Sequence, residues 1–73
     1  MTAHNPVAKV WECSGCGDPW PCRTRRRELT ATYMRAPASL VTYMSQCMAV
    51  ARVELPDVPE GALHARFLGW IWW

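Results

Sequence analysis

Three cysteines near the start of the chain constrain its fold more than any other feature. Cys13, Cys16 and Cys22 are separated by two and then five residues. A two-residue spacing lets both thiolates of the first pair reach one ion, and Gly15 and Gly17 let backbone amides turn toward the sulfurs. The third sulfur follows closely. The spacing therefore predicts a metal knuckle with these three cysteines as ligands.

A structural zinc site takes four ligands in a tetrahedral arrangement, so one ligand must come from outside the three cysteines. His4 lies in the same N-terminal segment and is the predicted fourth ligand. Cys47 and His64 are the main alternatives, although Cys47 belongs to an apolar helical stripe. Water, Glu12 or Asp18 could also complete the site.

The small size of the chain explains why a metal would matter. Its 73 residues allow one domain, predicted as a Cys-rich head over residues 1–22 and a helical body over residues 23–73. A core of that size rarely leaves more than about 3 to 5 kcal/mol of stability. A structural zinc can contribute about 10 kcal/mol or more. The head, rich in proline and glycine, is predicted to be irregular and to depend on the ion.

Three helices are predicted in the body, which makes the chain a mostly α, small three-helix domain with an irregular zinc-knuckle-like head. The first covers residues 23–34, because no proline interrupts the chain before Pro37. The second covers 38–55 with Ser39 as its cap. The third begins near 57–59 with Asp57 as its cap, and its apolar face carries Leu63, Phe67 and Trp70.

The second helix is predicted to be the central one, because apolar residues surround much of it. Its main stripe has helical spacing, and Val41, Val50 and Val53 widen that stripe. The stripe consists of Leu40, Met44, Cys47, Met48 and Ala51.

Four of the five tryptophans form two predicted groups, and the fifth, Trp70, belongs to the apolar face of the third helix. Trp11 and Trp20 flank the cysteines, so they are expected to tie the head to the helices and to shield the thiolates from water. Trp72 and Trp73 lie at a terminus, where chains often fray, and are expected to be partly exposed.

A run of arginines directly after the third cysteine is the candidate partner-binding surface. Arg23, Arg25, Arg26 and Arg27 stand at the start of the first predicted helix, where positive charge opposes the helix dipole. Three interpretations stay open, namely a solvated face, an acidic protein partner and a nucleic acid. The net charge of +2 is too small to favour nucleic acid by itself.

Several function classes are disfavoured by the sequence. The segment 1–9 lacks the basic and apolar pattern of a secretory signal, and the apolar segment 40–55 is too short and too polar to cross a membrane. A cytoplasmic location, in which thiols stay reduced, is therefore expected. The chain is predicted not to be an enzyme, because cysteines that hold a metal are not free nucleophiles and Ser14 has no evident base.

Two stretches of the sequence resemble a known family. The segment Trp-Glu-Cys-Ser-Gly-Cys-Gly-Asp-Pro-Trp-Pro-Cys, residues 11–22, and the ending Ala-Arg-Phe-Leu-Gly-Trp, residues 65–70, resemble a family of short actinobacterial Cys-rich proteins. Many of these carry the label "flavin reductase". The resemblance implies a zinc-knuckle-like head on a small helical body. It does not extend to flavin chemistry, because this chain has no glycine-rich phosphate loop after a strand.

The cysteine spacing also resembles that of the last three cluster ligands in WhiB-like iron–sulfur regulators. This resemblance implies an iron–sulfur cluster as the alternative to zinc, with Cys47 as the fourth ligand and redox sensing as the function. Those proteins have another cysteine upstream and a Gly-Val-Trp-Gly-Gly-type turn downstream, and this sequence has neither. Reduced cysteines that simply pack, or a disulfide between Cys13 and Cys16, are further interpretations.

The function predicted from the sequence is that of a small zinc-binding, non-enzymatic interaction or regulatory protein. It would act through a macromolecular partner, either a protein or a nucleic acid. A redox-sensing iron–sulfur regulator and a flavin-linked accessory protein are the alternatives.

Overall fold

The computed structural model describes residues 2–71 and confirms the predicted mostly helical class. Three helices follow an irregular N-terminal segment, namely α1 (Arg23–Thr32), α2 (Pro37–Glu54) and α3 (Glu60–Phe67). Each differs from its predicted bounds by only a few residues. The predicted exposure of Trp72 and Trp73 lies outside the described residues.

Prolines, rather than capping side chains, mark the starts of α2 and α3. Ala36 and Pro59 are the N-cap residues, and neither side chain makes a capping hydrogen bond. The predicted caps are therefore wrong. Ser39 lies inside the first turn of α2, which Pro37 begins with its fixed φ angle, and Asp57 stands two residues before the N-cap of α3.

Helix α2 packs against both other helices, as predicted for the central element. Its buried side chains are Leu40, Met44 and Ala51. The predicted widening of the stripe holds at Val41, which is half-buried against the core, but is wrong at Val50 and Val53, which are 52% and 79% exposed. The two other helices are shorter than the 18-residue α2, and residues 2–71 contain no further helix to cover its exposed side.

The centre of the core is an aromatic cluster in which the head meets α3. The ring centroids of Trp11 and Phe67 lie 5.4 Å apart at 80°, while those of Trp11 and Trp20 lie 5.8 Å apart. All three rings are buried. Such tilted and edge-to-face pairs are favoured over face-to-face stacking, so the two tryptophans join the head to the body as predicted.

Helix α3 ends at Phe67, before Trp70, which the sequence placed on the apolar face of this helix. Leu63 and Phe67 are buried within α3, but Trp70 lies in the turn that follows the helix and is half-buried. Its indole Nε1 donates a hydrogen bond to the carbonyl of Arg66 at 3.0 Å. Within residues 2–71, no helix is both long enough and apolar enough to pass through a lipid bilayer.

The head consists mainly of turns. Two isolated antiparallel bridges, Pro6 with Cys13 and Glu12 with Pro19, are its only β pairing within the described part of the chain. The backbone of Lys9 and Trp11 has positive φ, at 73° and 54°, which side-chain-bearing residues rarely adopt. Local geometry of this kind needs support from elsewhere in the molecule.

Candidate metal centre

Four potential ligands lie together on the head. One ligand atom from each of His4, Cys13, Cys16 and Cys22 lies within 4.8 Å of all the others. The Nδ1 atom of His4 is 3.1 Å from the sulfur of Cys13 and 3.4 Å from that of Cys22. Tetrahedral zinc with its usual bond lengths separates nitrogen from sulfur by about 3.6 Å and two sulfurs by about 3.8 Å. The cluster could therefore bind a metal ion.

The structure brings the predicted fourth ligand, His4, to the three cysteines and leaves both alternatives outside the group. Cys47 is half-buried on α2, where burial raises the pKa of its thiol. His64 is exposed on α3. All four cysteines carry free thiols, so the interpretation of Cys13 and Cys16 as a disulfide does not describe this structure.

Glycines shape the turn that holds the first two sulfurs. The amide of Gly15 donates to the sulfur of Cys13 at 3.4 Å, and Gly17, at φ +79°, donates its amide to the Cys13 carbonyl at 2.8 Å. A Cβ atom on Gly15 would lie only 2.6 Å from the Ala3 carbonyl oxygen and 3.1 Å from His4 Nδ1. The absence of a side chain at Gly15 is therefore what lets the histidine segment approach the cysteines.

Several hydrogen bonds fix the segment that carries His4. The Trp20 indole donates to the His4 carbonyl at 3.0 Å, and the His4 amide donates to the Thr2 hydroxyl at 2.9 Å. The Ser14 amide donates to the Asn5 carbonyl at 2.8 Å. These contacts tie a segment with almost no apolar burial to the cysteine turn.

Cys22 is a potential ligand and also the N-cap of α1. Its sulfur accepts a hydrogen bond from the Arg25 amide at 3.4 Å, and its carbonyl accepts one from the Arg26 amide at 2.9 Å. The sulfur therefore accepts one of the backbone donors that the start of a helix leaves without a partner inside the helix.

The pKa values of Cys13 and Cys16 are shifted in opposite directions. Desolvation raises the pKa of Cys13, but hydrogen bonds from the Gly15 and Cys16 amides and from His4 outweigh it and lower the pKa to about 6. The Asp18 amide lowers the pKa of Cys16, but desolvation and the sulfurs of Cys13 and Cys22 outweigh it and raise the pKa to about 11. Neighbouring thiolates therefore oppose each other's ionisation, and a bound cation would remove that opposition.

Two residues that dock the head on the body were missed in the sequence. The guanidinium of Arg66 donates from Nε to the Trp20 carbonyl at 2.7 Å and from a terminal nitrogen to the Trp11 carbonyl. Glu54 accepts from the Trp11 indole at 2.7 Å and from the Lys9 amide at 3.3 Å. Desolvation lowers the pKa of Arg66. No local pattern reveals these contacts, because each joins residues more than forty positions apart.

Two of the four predicted partner-binding arginines are engaged within the chain. Arg25 forms an ion pair with Glu28 at 3.4 Å. Arg26 donates from Nε to the Pro21 carbonyl at 2.9 Å, and its guanidinium lies 5.8 Å from the ring centroid of Trp70. Arg26 therefore joins the head to the body, whereas the ion pair of Arg25 lies within α1.

The other two arginines face solvent. Arg23 and Arg27 are exposed and stand four residues apart, on the same side of α1. Their guanidinium groups take no part in the intramolecular contacts described for Arg25 and Arg26.

Comparison with known proteins finds no family model, no curated protein and no solved structure that matches this chain. The resemblances to the short actinobacterial family and to the WhiB-like spacing therefore stay predictions.

Proposed function

We propose that this protein is a small zinc-binding, non-enzymatic module that acts in a reducing compartment through a macromolecular partner. The observation that carries the proposal is the group of one imidazole and three sulfur donors within 4.8 Å of one another. Thiolate and imidazole ligands suit zinc, whereas magnesium and calcium prefer oxygen ligands. Three cysteines and one histidine form one of the usual ligand sets of structural zinc.

The ligand number supports a structural role for the ion. Catalytic zinc sites keep one position open for water or substrate, while structural sites use four protein ligands. Here His4 and the three cysteines would fill the tetrahedral shell. The ion would then hold the head on the body, and the exposed Arg23 and Arg27 would be available to a partner.

The close spacing of the donors also favours a single ion over an iron–sulfur cluster. In a four-iron cluster each protein ligand binds a different iron, which spreads the ligands over several metal atoms. Donors that all lie within 4.8 Å of one another suit a shared ion. The iron–sulfur regulator is therefore the less favoured function.

Metal content and visible absorption, measured on protein purified without oxygen and without added metal, test this proposal. One zinc per chain with no visible absorption is the expected result. A brown protein with iron and sulfide would contradict it, and so would a folded protein with no metal. Replacing the ion with Co²⁺ sharpens the test, because tetrahedral cobalt with thiolate ligands gives strong visible bands and octahedral cobalt gives weak ones.

A further inference from the structure

A groove of about 620 Å³ runs between the outer face of α1 and the loop that leads to Cys22. Pro19 and Pro21 line it on the loop side, and Ala31 and Met34 line it on the helix side. Trp70 contributes a third wall. Its surface is mostly apolar, and Met34 is 74% exposed. An apolar groove of this kind on a small protein is a feature of interaction sites.

The charged residues along the groove are mainly basic. Arg23, Arg26 and Arg27 line it, and Asp18 is the one acidic residue among its described lining. Arg26 is held against Trp70, so Arg23 and Arg27 are the two guanidinium groups available to a ligand. They lie one helical turn apart at one end of an apolar strip.

We propose that this groove binds a segment of a partner protein that is apolar along one face and acidic along one edge. The inference rests on the proposed function, since it names the chemistry of the partner. Residues Arg23 to Ala31 present about 12 Å of α1 to the groove. That length suits two or three apolar anchors from an amphipathic segment, with carboxylates placed to meet the two arginines.

The same observations disfavour nucleic acid as the occupant. Nucleic-acid affinity comes largely from several phosphate contacts, and this groove offers two available arginines over a mostly apolar floor. Stacking of a base on Trp70 would compete with Arg26, whose guanidinium already lies over that ring.

The candidate metal centre forms one wall of the groove. Cys22 is both a potential ligand and a lining residue, and Asp18, Pro19 and Pro21 belong to the loop between Cys16 and Cys22. Loss of the ion would release that loop, so binding of the segment should require the metal. The groove thereby couples metal occupancy to partner binding.

A displayed library of random peptides tests the proposal. Peptides of about 12 residues are selected for binding to the zinc-loaded full chain. Selected peptides should be rich in Asp or Glu and should carry regularly spaced apolar residues. Arg27→Glu should weaken their binding about tenfold or more, because it places like charges opposite each other. Arg35→Glu is the matched control, since Arg35 is exposed but does not line the groove, and it should leave binding nearly unchanged.

A second pair of variants tests the apolar floor independently of charge at the arginines. Met34→Gln should weaken binding of the selected peptides about tenfold, whereas Val53→Gln should not. Both residues are exposed, at 74% and 79%, so neither change should disturb the core, and Val53 lies outside the groove. Retention of zinc in all four variants checks that the fold is intact.

Several outcomes would overturn the inference. Selection of basic or neutral peptides, selection of none, or binding that is unchanged by both Arg27→Glu and Met34→Gln would each do so. Tighter binding of a DNA or RNA oligonucleotide through the same residues would assign the groove to nucleic acid, and a stable dimer that occludes it would assign it to a second copy. Peptide binding by metal-stripped protein would refute the coupling. Absence of zinc from the purified protein instead refutes the proposed function, whatever the peptides do.

Discussion

The head and the helical body are stabilised in different ways. In the body, Leu40, Met44 and Ala51 bury one stripe of α2 against its neighbours. In the head, Trp11 and Trp20 are the large buried side chains, and most other ordering contacts are hydrogen bonds to backbone groups. The segment around His4 is ordered mainly by its contacts with the cysteine turn.

On the proposed function, the order of the head depends on a bound ion, and the order of the body depends much less on it. Burial of apolar surface acts in any aqueous solution, whereas the proposed zinc orders the head only where the thiolates hold it. Chemical changes at the metal centre should therefore act first on the head, and four experiments can test how sharply the two regions separate.

The largest effect is expected from Cys16→Ser. Cys16 is exposed, so its replacement removes a ligand without opening a cavity in the core. Structural zinc contributes apparent free energies of about 10 to 16 kcal/mol to small zinc domains at neutral pH, so metal content should fall and amide protection in the head should be lost. Elemental analysis and hydrogen exchange measure both.

Cys47→Ser is the matched control for that experiment. Cys47 lies on α2 outside the ligand group, so the variant should keep its metal and the protection of its head. Loss of metal from Cys47→Ser together with its retention by Cys16→Ser would reverse the assignment of the ligands.

A smaller effect is expected from Arg66→Ala, which cuts the link between the regions. It removes the donors to the Trp20 and Trp11 carbonyls, and hydrogen bonds from charged groups contribute about 1.5 to 3 kcal/mol. The free energy of unfolding, measured with denaturant in excess zinc, should fall by about 2 to 3 kcal/mol. Arg52→Ala should cost much less, because Arg52 is exposed and pairs only with exposed Glu60.

The next experiment applies one substitution, glycine to alanine, to both regions. Gly15→Ala forces its Cβ into the Ala3 carbonyl, so the histidine segment must shift and zinc affinity should fall about tenfold, as for other changes around metal ligands. Gly61→Ala has open space around it on α3 and should stabilise the protein by about 0.5 to 1 kcal/mol. Competition with a zinc chelator and thermal unfolding measure the two effects, and equal behaviour of the two variants would contradict the comparison.

The smallest effect is expected from Glu60→Gln on the surface of the body. The hydrogen bonds from Arg52 lower the pKa of Glu60 below its ordinary value of 4.5. Its contribution to stability is therefore fully present above pH 4.5 and disappears as the pH falls through the lowered pKa of the folded state. The difference in melting temperature between the wild type and Glu60→Gln should be small at neutral pH and vanish in acid. A difference that grows in acid would contradict this.

The sequence predicted the grouping of His4 with the three cysteines because the signal is local. Three cysteines within ten positions restrict where their sulfurs can lie, and His4 is the one histidine in the same segment. The helices were also predictable, since prolines at 37, 56 and 59 interrupt an otherwise helix-compatible chain.

The docking of the head could not be predicted because it depends on distant pairs. Arg66 and Glu54 contact the head across more than forty positions, and nothing near them in the sequence distinguishes them from other charged helix residues. The exposure of Val50 and Val53 was missed for a related reason. Helical periodicity shows that a face is apolar, but only the arrangement of neighbouring helices decides whether that face is covered.

With zinc bound as proposed, Cys22 has two roles, as a ligand and as the N-cap of α1, and this limits how the protein can vary in evolution. Serine could cap α1 but would be a poor zinc ligand, and histidine could bind zinc but is a poor cap. Aspartate could do both, although its oxygen would weaken the preference of the site for thiophilic metals. Drift at this position should therefore be narrow, and a lineage that loses this cysteine must replace a helix start and a ligand in the same step.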